Sequence, residues 1–277
     1  MAKRQQRQAG GSVVVATVLM ACACAGGCAG SGAALDDARA ADPVGTLRGA
    51  ADTLVAAGSS KTRTSMEMAT GGTRVTIRGE GVYDYRERLG RLKVLLPQDP
   101  AGTSEHRPIT ELLAPGALFM KNRGAGVPAD KWVRVDTATL SDGNLVTGGA
   151  TDPLVAAEVL RGTRTATYVG ATELAGTEVR HYRGTADLTA AARGASGADR
   201  EVLAAAAKGF ATAAVPFDVY LDDRGRVRKV RHRFSFVNGR QRGTVAVAST
   251  TLLYDFGVAA DVRLPAARDI YAGKIAE

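Results

Sequence analysis

Between Val215 and Phe236 apolar and polar side chains alternate almost without a break, and a segment with that period of two buries its apolar half as a β-strand. Val215, Phe217, Val219 and Leu221 alternate with Pro216, Asp218, Tyr220 and Asp222. The stretch Asp222-Asp223-Arg224-Gly225 then supplies the residues that a tight turn favours. Beyond it Val230, His232, Phe234 and Phe236 share one face, and Lys229, Arg231 and Arg233 share the other. The pattern predicts a long antiparallel hairpin with one wet face. Similar runs at 62–70, 74–85, 88–96, 117–121, 131–136, 165–173, 178–187 and 244–256 bring the expectation to about ten strands in one large antiparallel sheet.

Helices are expected only between strand groups. Residues 43–57 carry Val44, Leu47, Leu54 and Val55 at near-helical spacing, with Asp42 placed to cap and Pro43 to start the helix. Asp152-Pro153 repeats that start signal ahead of 154–160. The alanine-rich stretch 198–213 carries Val202, Leu203 and Phe210. The expected fold is α+β: a curved sheet with three or four helices packed against it, built as one domain over 43–277.

The first residues follow different rules. Lys3, Arg4 and Arg7 precede the uncharged, mostly apolar run 12–21, and small residues follow at once. That is the layout of an export signal, and the run is about half of the ~20 residues a membrane-crossing helix needs. Leu19-Met20-Ala21-Cys22 resembles a bacterial lipobox, so residues 1–21 are expected to be removed and Cys22 to receive the lipid; Cys28 is the alternative, and Cys24 a poorer one. Residues 22–42, rich in Ala, Gly, Ser and Asp, read as a flexible tether. The expected location is therefore the extracytoplasmic face of a cell membrane, held by a lipid anchor.

Composition removes several function classes. All three cysteines lie between positions 22 and 28, so the body has no thiol to form a disulfide, bind zinc or act as a nucleophile. His106, His181 and His232 are the only histidines, and none stands at a metal-ligand spacing. No nucleophile elbow, P-loop or dinucleotide fingerprint occurs. The expectation is a protein that is not an enzyme and has no metal, cofactor or catalytic residue. Cleavage after residue 21 takes three cations and no acid, lowering the formal charge from +8 to +5. A mildly basic exported body suits an anionic membrane surface and not a nucleic acid.

The order of elements carries a resemblance. A lipobox and N-terminal helix are followed by Lys61-Thr62-Arg63-Thr64-Ser65-Met66 and Gly79-Glu80-Gly81-Val82-Tyr83-Asp84. Then come Leu118-Phe119-Met120-Lys121 with Lys131-Trp132-Val133, an Asp-Pro helix, and the hairpin from Val219 to Val227. This order resembles the actinobacterial LppX/LprG lipoproteins and, more distantly, the LolA/LolB lipoprotein carriers. The resemblance implies an incomplete β-barrel closed by helices around an apolar cavity that takes acyl chains. The candidate cavity faces are Met66 and Met68, Val75 and Ile77 with Gly79 and Gly81, Leu92 and Val94, and Leu118 and Met120. Val219, Leu221, Val230, Phe234 and Phe236 continue them in the hairpin. Methionine adapts to varied apolar shapes and glycine leaves space, but the same alternation also describes a filled core.

Two functions follow: a carrier or chaperone of lipid acyl chains, or an envelope sensor that binds another protein through the same fold. Lys229, Arg231 and Arg233 are read either as a solvated outer face or as a stripe that orients the body on anionic lipid.

Overall fold

Eleven antiparallel strands form one open sheet in the computed structural model, which describes residues 41–70, 73–97, 107–124, 126–238 and 243–273. The signal, Cys22, Cys24, Cys28, most of the tether and His106 lie outside the described residues. The strands are β1 (Ser59–Thr70), β2 (Thr73–Asp84), β3 (Leu89–Leu95), β4 (Ile109–Ala114), β5 (Ala117–Lys121), β6 (Val133–Asp136), β7 (Thr163–Leu174), β8 (Thr177–Asp187), β9 (Ala214–Leu221), β10 (Val227–Asn238) and β11 (Gly243–Tyr254). Their order is β6-β5-β4-β3-β2-β1-β11-β10-β9-β8-β7, so the first and last strands meet in the middle. β6 and β7 are the free edges, and the barrel is not closed.

Helices α1 (Pro43–Arg48), α2 (Ala50–Ala57), α3 (Pro153–Val159), α4 (Leu188–Gly194) and α5 (Ala198–Gly209) join the inward side chains of the sheet in one apolar core. Every residue of α3 is buried, which puts it at the centre of that layer. The two Asp-Pro starts form as the residues dictate. Asp42 accepts from the Gly45 amide, and Asp152 accepts from the amides of Leu154 and Val155. The stretch 43–57 is two helices because it breaks at Gly49, the residue type that weakens a helix interior most after proline. The β9–β10 turn is held by Asp222, whose Oδ1 accepts from the amides of Arg224 and Arg226. Its Gly225 sits at φ +76°, which a side chain would strain.

Strand β4 is the element that alternation did not reveal. Its inward residues Ile109, Glu111 and Leu113 face the core, yet Leu112 on its outer side is buried too. The C-terminal segment crosses that outer face. Trp132 donates its amide to the Asp269 carbonyl at 2.8 Å and accepts from the Tyr271 amide at 2.8 Å. Leu112, Ala117 and Phe119 gain a second small core there with Val262 and Ile270. A strand covered on both faces reads as an apolar run rather than an alternation.

Candidate functional site

The register places all thirteen candidate cavity residues on the concave face of the sheet. Met66 pairs with Ile77 and Met68 with Val75 across β1 and β2. Phe234 pairs with Val247 and Phe236 with Val245 across β10 and β11. Burial divides the set in two. Met66, Leu92, Val94, Leu118, Met120, Val219, Leu221, Val230 and Phe234 are buried in the core, whereas Met68, Val75, Ile77 and Phe236 are only half-buried.

That division follows position along the strands. The buried nine lie under the helices and under the segment between β6 and α3, which threads across the concave face. Thr151 Oγ1 sits 2.7 Å from Ser249 Oγ, and Asp142 Oδ2 accepts from the Val146 and Thr147 amides at 2.8 and 2.6 Å. Gly149, at φ +93°, brings this segment against Ile77 and Val94. Beyond it, towards the β1–β2 and β10–β11 turns, the cover thins. Met68, Ile77, Phe236 and Val245 reach past it, joined by Leu96 and Val127, and all six pack against the core only in part. Phe210 backs this open end, stacked on Phe234 at 4.7 Å and tilted against Phe236 at 4.6 Å.

Two sequence expectations change here. The glycines at 79 and 81 do not leave room for a ligand. A Cβ on Gly79 would lie 2.7 Å from Thr64 Oγ1, and one on Gly81 would lie 1.9 Å from the Arg91 carbonyl, so their space is already taken by neighbours. Lys229, Arg231 and Arg233 do share the outward face, but each meets a partner. Arg233 donates to Asp218 at 2.8 Å, Arg231 reaches Glu67 at 3.5 Å, and Lys229 lies 5.0 Å from the Tyr220 ring centre. Asp218 gathers Arg183, His181 and Arg233. Burial opposes its charge, yet hydrogen bonds from Arg183, His181 and Arg233 hold its carboxyl down at about 2.

The concave face also carries polar groups that alternation did not single out. Glu111 is fully buried, neither of its carboxyl oxygens has a hydrogen-bond partner, and its strand neighbours are Leu92 and Met120. Desolvation pushes it up to about 8 against the opposing pull of Arg123, which favours the uncharged acid at pH 7. His232 faces inward as expected, and its Nε2 has no partner. Burial pushes it down to about 3, so it too is uncharged. Its strand neighbour is Ser249, with Thr62, Thr64 and Thr251 nearby in the central strands, all buried.

A second polar cluster sits at the other end. Tyr83 donates its hydroxyl to Asp152 at 3.1 Å, and Arg88 pairs with Asp199. Burial and the Asp199 charge raise Asp152 to about 6. The cavity beside them is about 20 Å³, room for a single water, and the cluster ties the helices to the sheet. Among the described residues no three His, Cys, Asp or Glu side chains are grouped to hold a metal, and no helix is long and apolar enough to cross a membrane.

No protein-family model and no curated protein matches the chain. Solved structures do. In fold the chain is similar to the lipoprotein LppX of Mycobacterium tuberculosis, at 9% identity and a TM-score of 0.45, over 80% of this chain and 100% of that one. It is similar to LprF of Mycobacterium bovis at 12% identity and a TM-score of 0.40, over 82% and 99%. An outer membrane lipoprotein-sorting protein domain from Vibrio parahaemolyticus follows, at 9% identity and a TM-score of 0.31, over 79% and 93%.

Proposed function

We propose that this protein is an extracytoplasmic lipoprotein, anchored through Cys22, that takes the acyl chains of a lipid at the open end of its concave face and acts as a carrier or chaperone for them. The observation that carries the reading is the half-buried group Met68, Ile77, Phe236 and Val245, an apolar surface continuous with the core but not covered by it, with half-buried Val75 paired to Met68 at its margin. Flexible methionine and aliphatic side chains with no charge among them suit a chain of methylenes, each worth about 0.8 kcal/mol on burial. Glu111 and His232, both favoured in their uncharged forms at pH 7, add little charge to the deeper wall. A chain longer than the open end must displace the segment at 147–149, where Arg123 holds the carbonyls of Thr147 and Gly148 across 3.4 Å. Nine of the thirteen concave residues are already packed, and this favours as the second reading a module whose open end receives an apolar segment of another envelope protein.

Titration of the full chain with a dansyl-labelled long-chain fatty acid tests the first reading, which expects saturable fluorescence that unlabelled fatty acid competes away. No saturable binding moves the choice to the second. The anchor is tested separately. Cys22→Ala is expected to abolish incorporation of a palmitate analogue and to leave the precursor uncut or release the protein into the medium. Labelling that survives Cys22→Ala and disappears with Cys28→Ala would move the anchor to Cys28.

A further inference from the structure

We infer that the outward face of β1–β5, on the opposite side of the sheet from the open end, is a docking surface for an anionic lipid bilayer. Two adjoining hollows mark it. One, of about 270 Å³, lies across β3, β2, β1 and β11 with Leu252 and Leu95 among its lining and Arg63, Arg78, Glu80 and Lys93 around it. The other, of about 370 Å³, lies across β3, β4 and β5 and includes Arg91, Lys121, Trp132, Asp261 and Arg263. Arg91 and Lys93 are two residues apart on one strand and so about 7 Å apart on one face, which makes the two hollows neighbours.

Charge and polarity identify the occupant. Each acid here already has its own cation: Glu80 lies 3.8 Å from Arg63, and Asp261 lies 3.2 Å from Arg263. Arg78, Arg91 and Lys93 are exposed, and among the described residues none of them makes a hydrogen bond or ion pair. Arg78 and Lys93 thus stand unmatched beside a large apolar side chain turned to solvent, Leu95 at 48% exposure, and Arg91 lies next along the strand. The chain's one tryptophan, Trp132, is half-buried in the same face with Lys121 over its ring. Unmatched cations, aliphatic side chains and an amphipathic indole are the combination that suits the boundary between anionic headgroups and acyl chains. The cations of β10 lack this property, since Arg231 and Arg233 are matched by Glu67 and Asp218.

The inference rests on the membrane location proposed above and not on the cargo, so acyl binding measured without vesicles fails or succeeds independently of it. The test uses the full chain with Cys22, Cys24 and Cys28 changed to Ala, so that no lipid anchors it and the N-terminal segment is constant across variants. Co-sedimentation is compared on phosphatidylcholine vesicles with and without phosphatidylglycerol. The parent is expected to bind the anionic vesicles selectively and less at high salt. Changing Arg78, Arg91 and Lys93 together to Gln is expected to weaken that binding roughly a hundredfold, at about fivefold per cation. Changing Lys229, Arg231 and Arg233 together to Gln is expected to weaken it less. Leu95→Trp is expected to be quenched by brominated lipid in the anionic vesicles only. Binding indifferent to vesicle charge, equal binding by the Arg78/Arg91/Lys93 variant, a larger loss from the β10 variant, or an unquenched Trp at 95 each overturns the inference.

Discussion

Replacing Glu111 with Leu is expected to stabilise the ligand-free protein, and to do so more at pH 8 than at pH 4.5. The wild-type carboxyl is buried without a hydrogen-bond partner, and burial raises it from an ordinary 4.5 to about 8. A raised carboxyl binds its proton more tightly in the folded state than in the unfolded one. Its contribution is therefore fully present below pH 4.5 and is lost as pH rises towards 8, at up to about 1.4 kcal/mol per unit. Glu111→Leu removes that loss and also the unsatisfied polar group, itself worth about 1–3 kcal/mol. Denaturant unfolding of both proteins at the two pH values checks this. The expected gain is about 1–3 kcal/mol at pH 4.5 and several kcal/mol at pH 8. Acyl binding should survive the change, because the acid serves the wall as a neutral side chain. Loss of binding with gain of stability would instead make Glu111 the partner of a polar ligand group.

Ile77→Trp and Met120→Trp are expected to part company although both lie on the concave face. Ile77 is half-buried at the open end, so a larger ring there fills the place of the ligand and should weaken binding of the dansyl fatty acid at least tenfold. Its melting temperature should change little. Met120 is buried opposite Glu111 and Val133, and overpacking such a site costs about 1–3 kcal/mol of stability. Its effect on binding should be smaller than that of Ile77→Trp. Equal loss of binding and stability in both variants would mean that the open end is simply the margin of the core.

Sequence patterning revealed most of the sheet, because most of its strands bury one face and wet the other, with β5 buried on both faces and β7 largely exposed on both as exceptions. The hairpin around Asp222 and the two Asp-Pro helix starts were legible for the same kind of reason: the residues make local hydrogen bonds that need no tertiary context. Strand β4 was not legible, since Leu112 is buried only because the distant C-terminal segment lies over it. The helix α4 was missed because its seven residues carry too little periodicity to register. At the candidate site the alternation shows which residues share the concave face, but not the division of that face into packed and half-buried parts. That depends on where the segment around Gly149 comes to rest, a contact some 70 residues from Ile77 along the chain. Glu111 fell inside the unread strand. The pairing of Arg231 with Glu67 joins strands 164 residues apart, which no local pattern encodes.

The central claim is that acyl chains occupy the open end of the concave face, and the most direct measurement is mass spectrometry of what the protein already holds. The full-length protein, expressed in a membrane and purified gently, would be extracted with organic solvent beside an Ile77→Trp preparation of equal yield. The account predicts acyl-chain lipids recovered in near-stoichiometric amount from the wild type and strongly reduced from the variant. Recovery of no lipid, or of equal amounts from both, would contradict it.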